Sequence, residues 1–141
     1  MRKYFPTKEV LFQNCTRAFG ETLNLPDLTE LGAIAGAEER IEAGVTELCR
    51  VHEAMFGYAW LSAQQRGYSP TLDAEMAAYE SLADAVADLI TPPGSPRAAL
   101  VRGLLDYLTY RALRLSARLS EQAAAAELAA TVRTLIISGG R

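Results

Sequence analysis

The sequence predicts an all-α fold: one helical domain over residues 1–141, a compact bundle of about four to five helices, three of them long and amphipathic. Three observations carry this. Ala, Leu, Glu and Arg abound while β-branched residues are scattered, which favours helix over strand. Several stretches repeat apolar residues every three or four positions, the period of one buried helix face. Helix start and stop signals bracket those stretches. Half of the 141 residues are apolar, enough to bury an ordinary core without staples.

Taken in order, Thr7 is a fitting N-cap for a first helix from Lys8 to about Phe19, with Val10, Leu11, Cys15 and Phe19 on one face and Gly20 as its stop. Residues 21–37 are loop-like, with room for a turn or two of helix between Pro26 and Ile34. A long helix is expected from Ala37 to Arg66, with Glu38, Glu39 and Glu42 in its positive first turns. Its buried face is Ile41, Val45, Leu48, His52, Met55 and Ala59, broadened by Phe56 and Trp60. Gly44 and Gly57 interrupt it, at positions suited to close helix contact or a bend, and Gly67 closes it.

A second long helix runs from Thr71 to about Ile90 on Leu72, Met76, Tyr79, Leu82, Val86 and Leu89. Thr91-Pro92-Pro93-Gly94 breaks the chain, and Ser95-Pro96 restarts it as cap and first helical residue. The third long helix is expected from Pro96 to about Leu119, with Leu100, Leu104, Leu108, Ala112, Leu115 and Leu119 as its core stripe. Tyr107, Arg111, Arg114 and Arg118 form a second stripe beside it. Ser120 caps a last helix, Glu121 to Ile137, buried through Ala124, Leu128, Val132, Leu135 and Ile136, and Ser138–Arg141 reads as a fraying end.

Net charge is −3, which gives no global reason to expect nucleic-acid binding. The charge is unevenly spread. Asp73, Glu75, Glu80, Asp84 and Asp88 lie in a stretch, 71–95, without Lys or Arg, whereas 96–141 holds seven Arg against three acids. Acidic and basic helices in one chain can bind head to tail with copies of it. Cys15 and Cys49 have no CxxC spacing and imply no disulfide framework. Asn14-Cys15-Thr16 matches a glycosylation sequon, but residues 1–20 lack an apolar run of signal-peptide length, and cytosolic synthesis is expected.

No catalytic apparatus is visible, and neither metal nor cofactor is expected. One histidine cannot supply a His pair, and no glycine-rich phosphate loop occurs. His52 lies on the apolar face of its helix and reads as a hydrogen-bonded core histidine. Cys49, three residues before it, can reach it as a thiol–imidazole pair on the buried side, although inert packing is the simpler expectation. The stripe of Tyr107, Arg111, Arg114 and Arg118 is the best candidate for recognition, because Arg and Tyr favour interfaces and Arg pairs with carboxylates through two parallel bonds.

Two stretches resemble the small head–tail connector (neck or adaptor) proteins of tailed bacteriophages, particularly the Mu-like type. The first is YFPTKEVLFQNCTRAFGETLN (Tyr4–Asn24) leading into GAEERIEAGVTELCRVHEAMFGYAWLSAQQRGYSP (Gly36–Pro70). It is similar to the family's opening Tyr, Thr, acidic, Leu…Arg-Phe-Gly-Glu and its long amphipathic helix. The second is SPRAALVRGLLDYLTYRALR (Ser95–Arg114), closing with VRTLIISGGR (Val132–Arg141), similar to the family's Pro-initiated helix and final helix ending in Gly-Arg. The acidic helix Thr71–Ile90 is longer than the family's usual linker there.

The resemblance implies a virion protein made in the host cytoplasm and located in the neck. It would form a homo-oligomeric ring, a dodecamer being the suggested size, between portal and tail proteins. DNA would pass through the channel without specific binding. In such a ring the Arg stripe would meet an acidic face, Asp84 and Asp88, of the next subunit. Asp106–Arg114 (DYLTYRALR) is also similar to a helix of cyanobacterial Rubisco assembly chaperones; that helix opens their chain, and here it reads as convergence on a good helix. A helical chaperone or small regulatory subunit would hold a peptide in a groove near Tyr107 and Tyr110. An enzyme or sensor centred on Cys49 and His52 would need a polar pocket reaching both.

Overall fold

The computed structural model describes residues 4–138, and among these the chain is all helix and turn. Its helices are α1 (Lys8–Thr22), α2 (Leu28–Ala33), α3 (Ala37–Ala54), α4 (Phe56–Gln64), α5 (Pro70–Ile90), α6 (Ala98–Leu104), α7 (Tyr107–Leu115) and α8 (Glu121–Ser138). The fold class is as expected, but among the described residues eight helices replace four to five, because two expected long helices are each broken in two and the loop-like stretch between Pro26 and Ile34 forms α2. The fraying expected beyond Ser138 concerns Gly139, Gly140 and Arg141, which lie outside the described residues.

The stretch 37–66 breaks at Met55. Gly57 weakens the helix there, and the Tyr107 hydroxyl donates to the Phe56 carbonyl at 2.8 Å, a bond from outside the helix. The break keeps helical phase, because Ala59 N–H still donates to the Met55 carbonyl at 2.7 Å. The expected face therefore survives intact: Ile41, Val45, Leu48, His52, Met55 and Ala59 are all buried. The α4 helix ends at Gln64, and the chain turns through Gly67, whose φ of 81° suits only glycine without strain.

The stretch 96–119 breaks at Leu105–Asp106. Asp106 caps α7, its carboxylate accepting from Leu108 N–H at 2.7 Å, and Thr109 Oγ1 donates to the Gly103 carbonyl at 2.8 Å. This break does not keep phase. Val101, Leu105, Tyr107 and Tyr110 are buried, whereas the expected core residues Leu100, Leu108 and Leu115 are 46%, 57% and 52% exposed. The break also frees the Leu105 carbonyl, which accepts from His52 Nε2 at 2.9 Å.

The other elements follow their local signals. Thr7 caps α1 through Val10 N–H at 3.2 Å, and Ser120 caps α8 through Ala123 N–H at 3.2 Å. Ser95 Oγ accepts from Arg97 N–H, but α6 begins only at Ala98, two residues after the proline. The acidic α5 is the hub, touching α1, α2, α3, α4 and α6. Gly44 is what lets α3 come so near: a Cβ there would stand 2.9 Å from Ile90 Cγ2. Glu9 ties α1 to the start of α5 by accepting from Thr71 Oγ1 (2.5 Å), Ser69 Oγ (2.7 Å) and Thr71 N–H (3.0 Å), and these donors hold its carboxyl below the usual range. The main partners of α3 are α8 and α5; α7 touches it less. One core cluster joins Val45, Leu48, Val86, Val101, Leu105, Tyr110, Leu128 and Val132; a second surrounds Met55, Met76, Tyr79 and Tyr107.

Candidate interaction surface

The stripe Tyr107–Arg111–Arg114–Arg118 is divided by the fold. Tyr107 is buried, its ring in edge contact with Phe56 and Tyr79. Arg114 is turned inward: its Nε and Nη2 reach the two Glu53 oxygens at 2.9 and 3.0 Å, and its Nη1 donates to the Leu119 carbonyl at 2.5 Å. Tyr110, also buried, donates its hydroxyl to the same carboxylate at 2.6 Å. Arg114 and Tyr110 hold the Glu53 carboxyl below the usual range, so it is ionised at neutral pH. Glu53 was not singled out in the sequence, since it stands at the edge of an apolar face beside His52.

Arg111 and Arg118 remain at the surface. The Arg111 guanidinium lies 4.2 Å over the Trp60 ring and 5.5 Å from that of Phe56, a cation–π contact between α7 and α4. Arg118 follows α7 with a φ of 58°, an unusual left-handed conformation for a residue with a Cβ, and makes no ion pair among the described residues. Asp84 and Asp88 are exposed on α5 but face Arg102 of the same chain, at 3.8 and 2.5 Å.

His52 is 1% exposed and fully hydrogen-bonded. A carbonyl can only accept, so Nε2 carries the proton towards Leu105 and Nδ1 accepts from the Tyr79 hydroxyl. Burial pushes its pKa down to about 4, against smaller upward effects of Leu105 and Asp106. Burial also pushes the Cys49 thiol up to about 12, so it stays protonated at neutral pH. With both ring nitrogens of His52 occupied, no base is left for that thiol. A cleft of about 120 Å³ reaches His52, Tyr79 and Tyr107, with the Arg66–Glu80 ion pair in its wall. Both tyrosine rings are buried, Tyr107 at the edge of this cleft and Tyr110 at the edge of another, of about 310 Å³, beside Cys49 and Glu53.

Two features of the surface were not anticipated. The first is a furrow between α3 and α8: clefts of about 320 and 310 Å³ share Thr46, Gln122 and Ala125 and so run into one another. The second is the outer face of α7. Leu108, Ala112 and Leu115, spaced to share one side of the helix, are exposed, while Tyr107, Tyr110 and Arg114 occupy the other side. Free leucines on a short helix could have been inferred only by placing the Asp106 break, and Asp106 as a cap was the available signal.

What the molecule defines by itself is therefore an all-helical domain whose arginine clamp is largely buried and whose α7 and α3–α8 surfaces are open. No family description, curated protein or solved structure matches the chain. Among the described residues no helix is long and apolar enough to cross a membrane.

Proposed function

We propose that this protein is a structural component of a tailed-phage virion, a head–tail connector of the Mu-like type. It acts by packing as a homo-oligomeric ring against portal and tail proteins in the neck, around a channel that DNA traverses without specific contacts. The observation that carries this reading is the likeness of Tyr4–Asn24, Gly36–Pro70, Ser95–Arg114 and Val132–Arg141, in that order, to the connector family's opening, long amphipathic helix, Pro-initiated helix and closing segment. Supporting it, those stretches supply α1, α3, α4, α6 and α7, including the exposed leucines of α7, which a free-standing monomer has little reason to leave in water.

The test is localisation and shape together. Antibody labelling of phage particles from the host of origin should mark the neck, and negative-stain images of the purified protein should contain rings. Label confined to capsid or tail tip, or no label on any particle, would overturn the reading.

A further inference from the structure

We infer that the α3–α8 furrow is the seat for α7 of a second copy of this chain, a contact that rests on the ring reading above. The furrow floor is Ile41, Thr46 and the small side chains Ala125, Ala126, Ala129 and Ala130, which let another helix approach closely. Its walls carry Glu38 and Glu42 at one end and Glu53 and Glu121 at the other. Arg114 already pairs with Glu53 and lies 4.0 Å from Glu121, and Arg133 lies 3.9 Å from Glu38, so Glu42 is the wall acid left for an arginine of a neighbour. Arg50 is already engaged by Glu47 at 2.8 Å and by the Asn24 carbonyl at 2.5 Å, and Glu42 makes no ion pair among the described residues.

The α7 surface is the complement. Leu108, Ala112 and Leu115 offer an apolar ridge, and Arg111 and Arg118 bring positive charge beside it and past its end. The lengths agree. The nine residues of α7 span roughly 13 Å, and the furrow side of α8 from Gln122 to Arg133 spans roughly 16 Å. Within one chain the two surfaces cannot meet, because the ridge is on the side of α7 opposite Tyr107, Tyr110 and Arg114, which pack into the fold. Ridge of one copy into furrow of the next is a head-to-tail contact, the kind that closes into rings or propagates as filaments.

The test uses the full chain and two variants confined to exposed positions. Leu108→Glu with Leu115→Glu spoils the ridge; Glu42→Arg with Ala126→Arg fills the furrow and reverses its charge. Each variant should keep the helical circular dichroism and melting of the parent, yet associate about thirtyfold or more weakly in sedimentation velocity. Mixed in equal amounts, the two should form a one-to-one pair and stop there, since only one intact ridge meets one intact furrow. Either variant assembling like the parent, a mixture that stays monomeric, or a parent that is monomeric at every concentration reached would overturn this contact. Rings that persist in both variants would do so while leaving the connector reading standing, which neck labelling judges separately.

Discussion

At the α3–α7 junction, Arg114 meets Glu53 with side chains 23% and 25% exposed; at the α5–α6 rim, Arg102 meets Asp88 with side chains 46% and 63% exposed. Both are arginine–carboxylate contacts between helices. The junction adds the Tyr110 hydroxyl, which donates to Glu53 from the same α7 helix, and the Leu119 carbonyl, which accepts from Arg114 after that helix ends. The rim has only Asp84 at 3.8 Å as a further partner. Little water reaches the first pair, and it fixes how α7 lies on α3; the second stands in solvent, where pairing is nearly balanced by hydration. Spacing along the sequence makes the two arginines look alike. Their surroundings make one a clamp and the other a surface charge.

The largest expected effect comes from breaking the clamp. Arg114→Glu would set two carboxylates against each other and strip the Leu119 carbonyl of its donor. The expected loss is about 2–3 kcal/mol of unfolding free energy, below the 3–5 kcal/mol of a fully buried pair because some water reaches it. Urea denaturation should register it as a lower midpoint at unchanged slope. Arg114→Lys, which keeps the charge but cannot make both parallel bonds, should fall between. An unchanged midpoint in Arg114→Glu would mean that Glu53 and Arg114 do not hold α7 at all.

A smaller effect sharpens the same contrast through pH. His52, beside Glu53, has its pKa lowered from the ordinary 6.5 to about 4 by burial. The unfolded chain therefore binds the proton more tightly than the folded one, so stability is fully present above pH 6.5 and falls as pH drops towards 4. Between pH 7 and 5 the expected loss is about 2 kcal/mol. Glu53, whose carboxyl Arg114 holds low, adds a further loss in more acid solution as it protonates. His52→Gln can keep both hydrogen bonds, amide N–H to Leu105 and amide oxygen from Tyr79, without titrating. Denaturation at the two pH values should then give nearly equal stability for the variant; a slope like that of the parent would place the titrating group elsewhere.

The two regions also explain which parts of the fold were legible in the sequence. The buried face of 37–66 was readable through its break because Met55 keeps its four-residue bonds, to the Val51 carbonyl and from Ala59 N–H, and so leaves the three-to-four-residue phase intact. The break at Leu105–Asp106 shifts that phase, so a stripe continued across it assigns Leu108 and Leu115 to a core they do not enter; Leu100, before the break, is exposed because Val101 and Leu105 take the inward side of α6. His52 was legible as a core histidine from its place on an apolar face, but its partners were not. Leu105 lies 53 residues away, and its carbonyl is available only because of a break elsewhere. The arginine stripe was legible as one face of a helix. That Arg114 turns inward depends on Glu53, 61 residues distant, and no local pattern encodes that approach.

The smallest expected effect is at the rim. Arg102→Ala removes contacts with Asp84 and Asp88 among side chains roughly half in water, and exposed pairs of this kind contribute about 0.5 kcal/mol or less. The change in urea midpoint should be near the limit of measurement at low salt and vanish at high salt. A loss as large as that of Arg114→Glu would erase the distinction between clamp and surface charge. A small loss would mean that Arg102 holds Asp84 and Asp88 only weakly and can be displaced from them at little cost. The acids of α5 would differ in this from Glu53, whose arginine cannot be displaced without loosening α7 itself.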